Sequence, residues 1–527
     1  MRFFILLLAA TCAVANLRYA SVVFENDKLL VREGLECRHS SVAFASYNDT
    51  ISSNGWGFLT VESNSAYSDE LQMRAVGLVE GFLTQKRIYQ YKLNMWDHTN
   101  GFENGTPQKL IDFLQQQTEW QRAMVGHYVD TDLFWYQVGL TLNQLDGMVE
   151  GYNTAAPKDQ NLPFIEMLII TAEGDLYELM PSLNITSMPQ TEEELSVSHS
   201  CSALIRVAPD LSDIWISHNT WTYYGAMLRL HKTFSLGLNP SKSRNRKFAF
   251  TSKPGYLFSK DDAYVTSTGL VVQETTISMN NPDLYHNIVH KTVLTWARAM
   301  IALRSAQSPE NWTQMFRKYN SGTYCNQWMV VDTNGFVPGR GLMGLSFYII
   351  EQLPGMTHVE DVSSVVRRQG YWPSYNIPFS KVIYNQAGYP ELKKKYGDQY
   401  DYDKCPRARI FARDAPKVSN YLMFKELMRS NNFETDPLSL GSPKNAIASR
   451  YDLDKENPRA HGAIDAKVMR LSSPKTLAMD IISGPTWSGK REPFSWSKRP
   501  EFKDLHEGQP DTFNFDWVLK TFKGSMC

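Results

Sequence analysis

The chain has 527 residues, 43% hydrophobic and 21% charged, the proportions of a globular protein with room for a large core. A formal net charge of -1 offers no electrostatic grip on nucleic acid or an acidic membrane. Its cysteines are too few for a disulfide scaffold at this length.

Residues 1–15 read as a secretory signal. Arg2 supplies the positive charge, residues 3–15 are apolar, and Ala13-Val14-Ala15 fits small-residue cleavage. The run falls short of the about 20 residues that span a bilayer, and no later segment is long and apolar enough. Strand-like runs follow at 20–24 and 57–61. Ser68 before Asp69 and Glu70 marks a helix start, with the helix running to Tyr91. Thr106-Pro107 starts a second helix. Asp130-Thr131 opens a third, with Phe134, Val138, Leu142, Leu145 and Val149 on one face. Residues 164–170 make a fourth. The part from 16 to 200 is therefore mostly helical. It ends in a polar segment, 184–200, where a chain can be cut without harm to a core.

The character then changes. Runs 203–207, 214–217, 247–251 and 270–277 read as strands, and 281–306 as one helix begun by Pro282. Ser308-Pro309 caps a shorter helix, 327–332 and 345–352 are strand-like, and the chain beyond 367 is turn-rich. Helices first, then strands and helices mixed, predict an α+β layered sandwich. Four sequons, at Asn48, Asn104, Asn184 and Asn311, are glycosylation candidates.

Common hydrolase signatures are missing. No G-x-S-x-G elbow and no H-E-x-x-H occurs. His286 and His290, four apart on the predicted helix, lack a third metal ligand. The string Gly339 to Gly344 matches G-x-G-x-x-G, yet a strand-like run follows it where a dinucleotide site needs a helix. No metal and no organic cofactor is expected.

Cys201 is the candidate nucleophile. Beyond the signal, Cys37, Cys201, Cys325, Cys405 and Cys527 make an odd count, so at least one thiol is unpaired within the chain. Which of the other four pair is left open. A cysteine at a new N-terminus has a built-in base, its own α-amine of pKa about 7.7–8.0, close to working pH as general-base catalysis requires. The chemistry needs the Ser200–Cys201 bond to break first. A disulfide half or a buried apolar thiol are the plainer readings of the same residue.

Cys201-Ser202-Ala203-Leu204-Ile205, with His218-Asn219-Thr220-Trp221 after it, resembles the phospholipase B-like proteins. Further matching strings run through Glu274-Thr275-Thr276, residues 318–324, Gly370 to Asn376, Ile383-Tyr384-Asn385, Pro406 to Asp414 and Ile482 to Thr486. The resemblance implies an N-terminal-nucleophile hydrolase with a four-layer αββα sandwich and self-cleavage before Cys201. By position, Cys201 matches the nucleophile and His218 and Trp221 match residues lining its site. Thr276 matches a pocket residue, Asn385 the oxyanion-holding amide and Arg413 the site arginine. It implies acyl esters of glycerophospholipids as substrate, with amides open, and a lysosomal or secreted protein that keeps its cleaved N-terminal fragment. The alternative from another class is a lipid-binding protein that retains self-cleavage alone. A papain-like protease is excluded by the lack of a Cys-Gly-Ser-Cys opening.

Overall fold

Two sheets carry the molecule. The computed structural model describes residues 17–37, 40–96, 101–102, 104–188, 201–487 and 491–527. The expected signal at 1–15, Ser200 and most of the polar segment lie outside the described residues. The larger sheet has 11 strands. Four come from before residue 64 and seven from 230–361. They meet where Gly57 to Glu62 run parallel to Leu230 to Ser235. The second sheet has 7 strands, all after residue 200.

Three apolar clusters fill the space around them. One packs the larger sheet on the helices before residue 183 and on Thr295–Ser305, with Val61, Val79, Met148, Phe250 and Ile301 among its members. A second joins the two sheets, with Ala203, Ile205 and Ile216 against Val265, Val271 and Met329. The third packs the smaller sheet on short helices of the 380–430 region, through Leu204, Ile383, Phe411 and Phe424. Alternation along a pleated strand explains the split, since Leu204 faces one cluster and its neighbours Ala203 and Ile205 the other. Among the described residues no helix is long and apolar enough to cross a membrane.

Side-chain caps set several helix starts. Ser68 Oγ accepts from Leu71 N–H at the head of Asp69–Met95. Asp132, two residues past the expected start, accepts from Phe134 N–H and opens Leu133–Ala155. These two helices touch backbone to backbone. A Cβ on Gly77 would sit 1.9 Å from the Gln144 carbonyl oxygen. The single helix expected over 281–306 is instead a 3-10 turn, Pro282–Asn287, and a helix, Thr295–Ser305. Asp175 breaks the run by accepting from the backbone N–H groups of Thr295 and Trp296 and so capping the later start. His286 and His290 therefore share no helix. The region beyond 367, expected to be turn-rich, carries the helices Pro406–Asp414 and Tyr421–Met428 among others.

One disulfide, Cys37–Cys527, joins the two ends of the described chain. Cys325 and Cys405 are free and buried, as is Cys201.

Between the sheets lies a chain of fully buried charges. Arg229 bonds to both Asp261 and Asp465. Lys467 Nζ reaches Asp465 at 2.8 Å and donates to Thr220 Oγ1 at 2.7 Å. Lys253 stands 3.7 Å from Asp261. Removing one partner of such a set leaves an uncompensated buried charge. Arg229→Met should cost about 3–5 kcal/mol of stability, read as a lowered denaturant midpoint. An unchanged midpoint would show that the acids are neutralised another way.

Candidate active site

Cys201 is the first residue of the strand Cys201–Val207, next to the edge strand Tyr371–Ser374. Across the other neighbour, Ile214–Tyr223, Cys201 pairs with Thr220 and Ala203 with His218. Cys201 and His218 thus share the face of the pleat that carries Ala203 and Ile205 into the inter-sheet core. Cys201 is 2% exposed and His218 is fully buried. Glu274, from the strand Leu270–Thr276 of the larger sheet, completes the group. The Cys201 sulfur, a His218 ring nitrogen and a Glu274 carboxylate oxygen all lie within 4.8 Å of one another. This is the one place among the described residues where three side chains with metal-donor chemistry converge.

Both backbone polar groups of Cys201 are held by side chains. Its N–H donates to Asn376 Oδ1 at 3.3 Å. Its carbonyl accepts from Arg407, whose guanidinium also donates to Ser202 Oγ at 3.2 Å, Tyr375 O at 2.9 Å and Asn376 Oδ1 at 2.8 Å. Asn376 Nδ2 donates to the Thr276 carbonyl at 2.8 Å, so Thr276 enters through its backbone. The Arg407 guanidinium lies 4.3 Å over the Trp221 ring, a cation–π contact. Trp221, Arg407, Tyr375, Tyr400 and Tyr451 line a cavity of about 480 Å³ that also presents Lys444, Asp454 and Glu456. Cys201 is not in its wall. Arg407 connects the two, stacked in the cavity on one side and bonded to Cys201 on the other.

The sequence-predicted residues divide accordingly. Cys201, His218, Trp221 and Thr276 fall in this region. Asn385 and Arg413 do not join it. Asn385 is exposed on the helix Lys381–Gln386. Arg413 sits at the far end of Pro406–Asp414 from Arg407, about 9 Å along the axis at 1.5 Å per residue. There its guanidinium is taken by Asp414 and Asp436, at 2.6 Å each, beside a separate cavity of about 300 Å³. Arg407 and Asn376 were missed although both lie in the strings that carry the resemblance. Pro406 at the first helical position was a usable signal, because it marks which arginine starts the helix.

Electrostatics keep the group uncharged where it can. Burial pushes the Cys201 thiol well above its usual value, and the facing Glu274 and Asp262 push it further, with Lys467 and the Trp221 backbone opposing. Burial, then Lys467, pulls His218 well below the usual imidazole value, so the ring is neutral. Burial, then the charge of Asp262, holds Glu274 well above the usual carboxyl range. His218 meets the Glu274 backbone, and the Glu274 and Asp262 carboxyls share a side-chain hydrogen bond.

Comparison with known proteins follows this geometry. A family model described as Phospholipase B matches residues 43–520. Phospholipase B-like protein G of Dictyostelium discoideum is 40% identical over 519 residues, covering 90% of this chain and 86% of the relative. Phospholipase B-like 1 of Rattus norvegicus is 35% identical over 96% of this chain and 92% of its own length. Phospholipase B-like 1 of Homo sapiens is 36% identical over 90% and 86%. A solved structure of a mutant conjugated bile acid hydrolase from Clostridium perfringens aligns at a TM-score of 0.31 and 11% identity, over 62% of this chain and 97% of that one.

A thiol raised in this way is mostly un-ionised at pH 8 and gains reactivity as pH climbs toward its own value. In the folded chain Cys201 should therefore be alkylated by iodoacetamide at pH 8 at least about tenfold more slowly than an unburied cysteine of pKa about 8.5. Mass spectrometry of the modified peptide reads the rate. Fast labelling at Cys201 would contradict the burial described.

Proposed function

Because the chain belongs to the phospholipase B family, we propose that it is a hydrolase with Cys201 as nucleophile, and that it first cuts its own chain between Ser200 and Cys201. The observation that carries this reading is the clamp on Cys201. Asn376 holds its nitrogen and Arg407 its carbonyl. The clamp fixes the position of the sulfur beside His218 and Glu274. After the cut the nitrogen held by Asn376 is a free amine, placed to take the thiol's proton as the sulfur attacks an acyl carbon. The acyl group passes to sulfur, the alcohol or amine leaves, and water releases the acid. His218, neutral and buried, keeps the sulfur's surroundings polar without adding charge. Arg407 and Asn376 take the roles that the resemblance gave to Arg413 and Asn385.

The substrate class we favour is acyl esters of glycerophospholipids, the activity in the names of the relatives, with amides served by the same chemistry. The cavity beside Trp221, carrying Lys444, Asp454 and Glu456, suits a polar head group. The succession of cores, helix on sheet, sheet on sheet, sheet on helix, supports a four-layer αββα sandwich. The fragments 16–200 and 201–527 would stay joined by the shared larger sheet and by Cys37–Cys527. That disulfide, the signal-like start and exposed Asn104, Asn184 and Asn311 support passage through the secretory pathway to a lysosome or the outside. Asn48, half-buried in the strand Ser41–Thr50, is the least accessible sequon.

A second reading, a lipid-binding protein that keeps self-cleavage alone, draws on the placement of Cys201 outside the cavity wall. Three results separate the readings. Under reducing conditions the protein should run as two pieces, the larger beginning at Cys201. Without reductant it should run as one, tied by the disulfide. Cys201→Ala should stay whole and hydrolyse no phospholipid, and turnover that survived in it would sink the enzyme reading. Asn376→Ala and Arg407→Ala should each lower turnover by about 100-fold through misplacement of the nucleophile. Asn385→Ala and Arg413→Ala, away from the site, should stay within about threefold.

A further inference from the structure

Self-cleavage has a need that turnover does not. A matured N-terminal cysteine has its own amine as base. In the uncut chain the same nitrogen is an amide, which takes no proton from a thiol. Another group must accept it.

Two side chains that can exchange a proton near neutral pH, His218 and Glu274, lie within 4.8 Å of the sulfur. Burial moves them in opposite senses. The lowered imidazole is a poor base, while Glu274, held well above the usual carboxyl range, and Asp262, pushed up to about 6, keep one open proton site between them. Glu274 and Asp262 share a side-chain hydrogen bond. Glu274 Oε1 accepts from the Tyr324 hydroxyl at 2.9 Å, and the same hydroxyl lies 2.6 Å from Asp262 Oδ2. A single phenol proton cannot be donated to two carboxylates at once. The second contact needs a proton on one of the acids, so the Glu274–Asp262 pair holds one proton and one negative charge. Such a pair can take up one more proton and give it back.

We propose that Glu274, backed by Asp262 through the Tyr324 hydroxyl, is the proton shuttle of self-cleavage, an inference that rests on reading Ser200–Cys201 as a self-cut bond. The Cys201 S–H bond breaks and its proton passes to the pair. The sulfur's electron pair forms a bond to the Ser200 carbonyl carbon. As that adduct collapses the carbon–nitrogen bond breaks, its electrons stay on nitrogen, and the pair returns the proton to that nitrogen. A thioester and a free amine result. Water then hydrolyses the thioester to the Ser200 carboxylic acid and the Cys201 thiol, and the pair ends as it began.

The test uses the full-length chain. Glu274→Gln keeps the shape and removes the carboxyl through which the pair exchanges a proton with the sulfur. Its uncut fraction is followed with time on reducing gels, with and without neutral hydroxylamine, which opens thioesters. The variant should be cut at least about 100-fold more slowly than wild type, the size of a lost acid–base group. Hydroxylamine should not speed it, because no thioester forms. Glu274→Asp, which keeps the carboxylate one methylene shorter, should recover part of the rate. A Gln variant cut at the wild-type rate would overturn the proposal. So would one that hydroxylamine cuts quickly, since that puts Glu274 after the thioester. If the Gln variant does not fold, the Asp variant decides. Cutting slowed by about tenfold supports the shuttle, and an unchanged rate sinks it. A wild-type chain that stays whole would instead remove self-cleavage itself, and is told apart from the other outcomes at once.

Discussion

Charge balance in a dry volume governs this structure. Arg229, Lys253 and Lys467 are buried beside Asp261, Asp262, Asp465 and Glu274, each with at most 1% exposure. An uncompensated charge there is expensive. Asp465 and Asp261 have direct cation partners, whereas Asp262 and Glu274 are both raised by burial and bond to each other side chain to side chain, which takes a shared proton. That pair is the one beside the Cys201 sulfur. Proton-transfer capacity beside the proposed nucleophile is thus a consequence of how the sheets neutralise their shared interior.

The same interior explains why a cut chain need not fall apart. The first four strands belong to a sheet whose other seven come from after residue 229. Lys232 bonds Glu80 at 2.6 Å, and Lys260 bonds Glu173 at 2.8 Å, both out of water. Each of these pairs spans residue 200. A break in the chain removes one covalent bond and leaves these contacts unaltered. Cys37–Cys527 adds a second covalent link across it.

Much of the site was legible because it is local. Cys201, His218 and Trp221 lie on two adjacent strands joined by a short turn, so one continuous string carries them. Helix starts were legible where a side chain caps them, as at Ser68 and Ser308. What failed depends on distant partners. The helix expected from 281 is interrupted by Asp175, over a hundred residues away in sequence. Asn376 and Arg407 meet Cys201 across long separations, and several polar residues in the same strings compete for the part. A string locates a segment; which of its side chains turns inward is decided by backbone conformation. Asn376 has φ of 69°, a left-handed geometry that asparagine tolerates, and this turn aims its amide at Cys201. Arg413 is turned away by two acids, one of them Asp436 from another segment.

The proposed cut also alters the balance it depends on. Before it, the nitrogen of Cys201 is neutral, the thiol is held protonated, and the Glu274–Asp262 pair keeps one proton. Afterwards an α-ammonium group of pKa about 7.7–8.0 can form on that nitrogen. Its charge favours ionisation of both the sulfur and the Glu274–Asp262 pair. In the uncut chain the pair is the proton acceptor; once the bond is cut the new terminus can serve as base when neutral and as counter-charge when protonated.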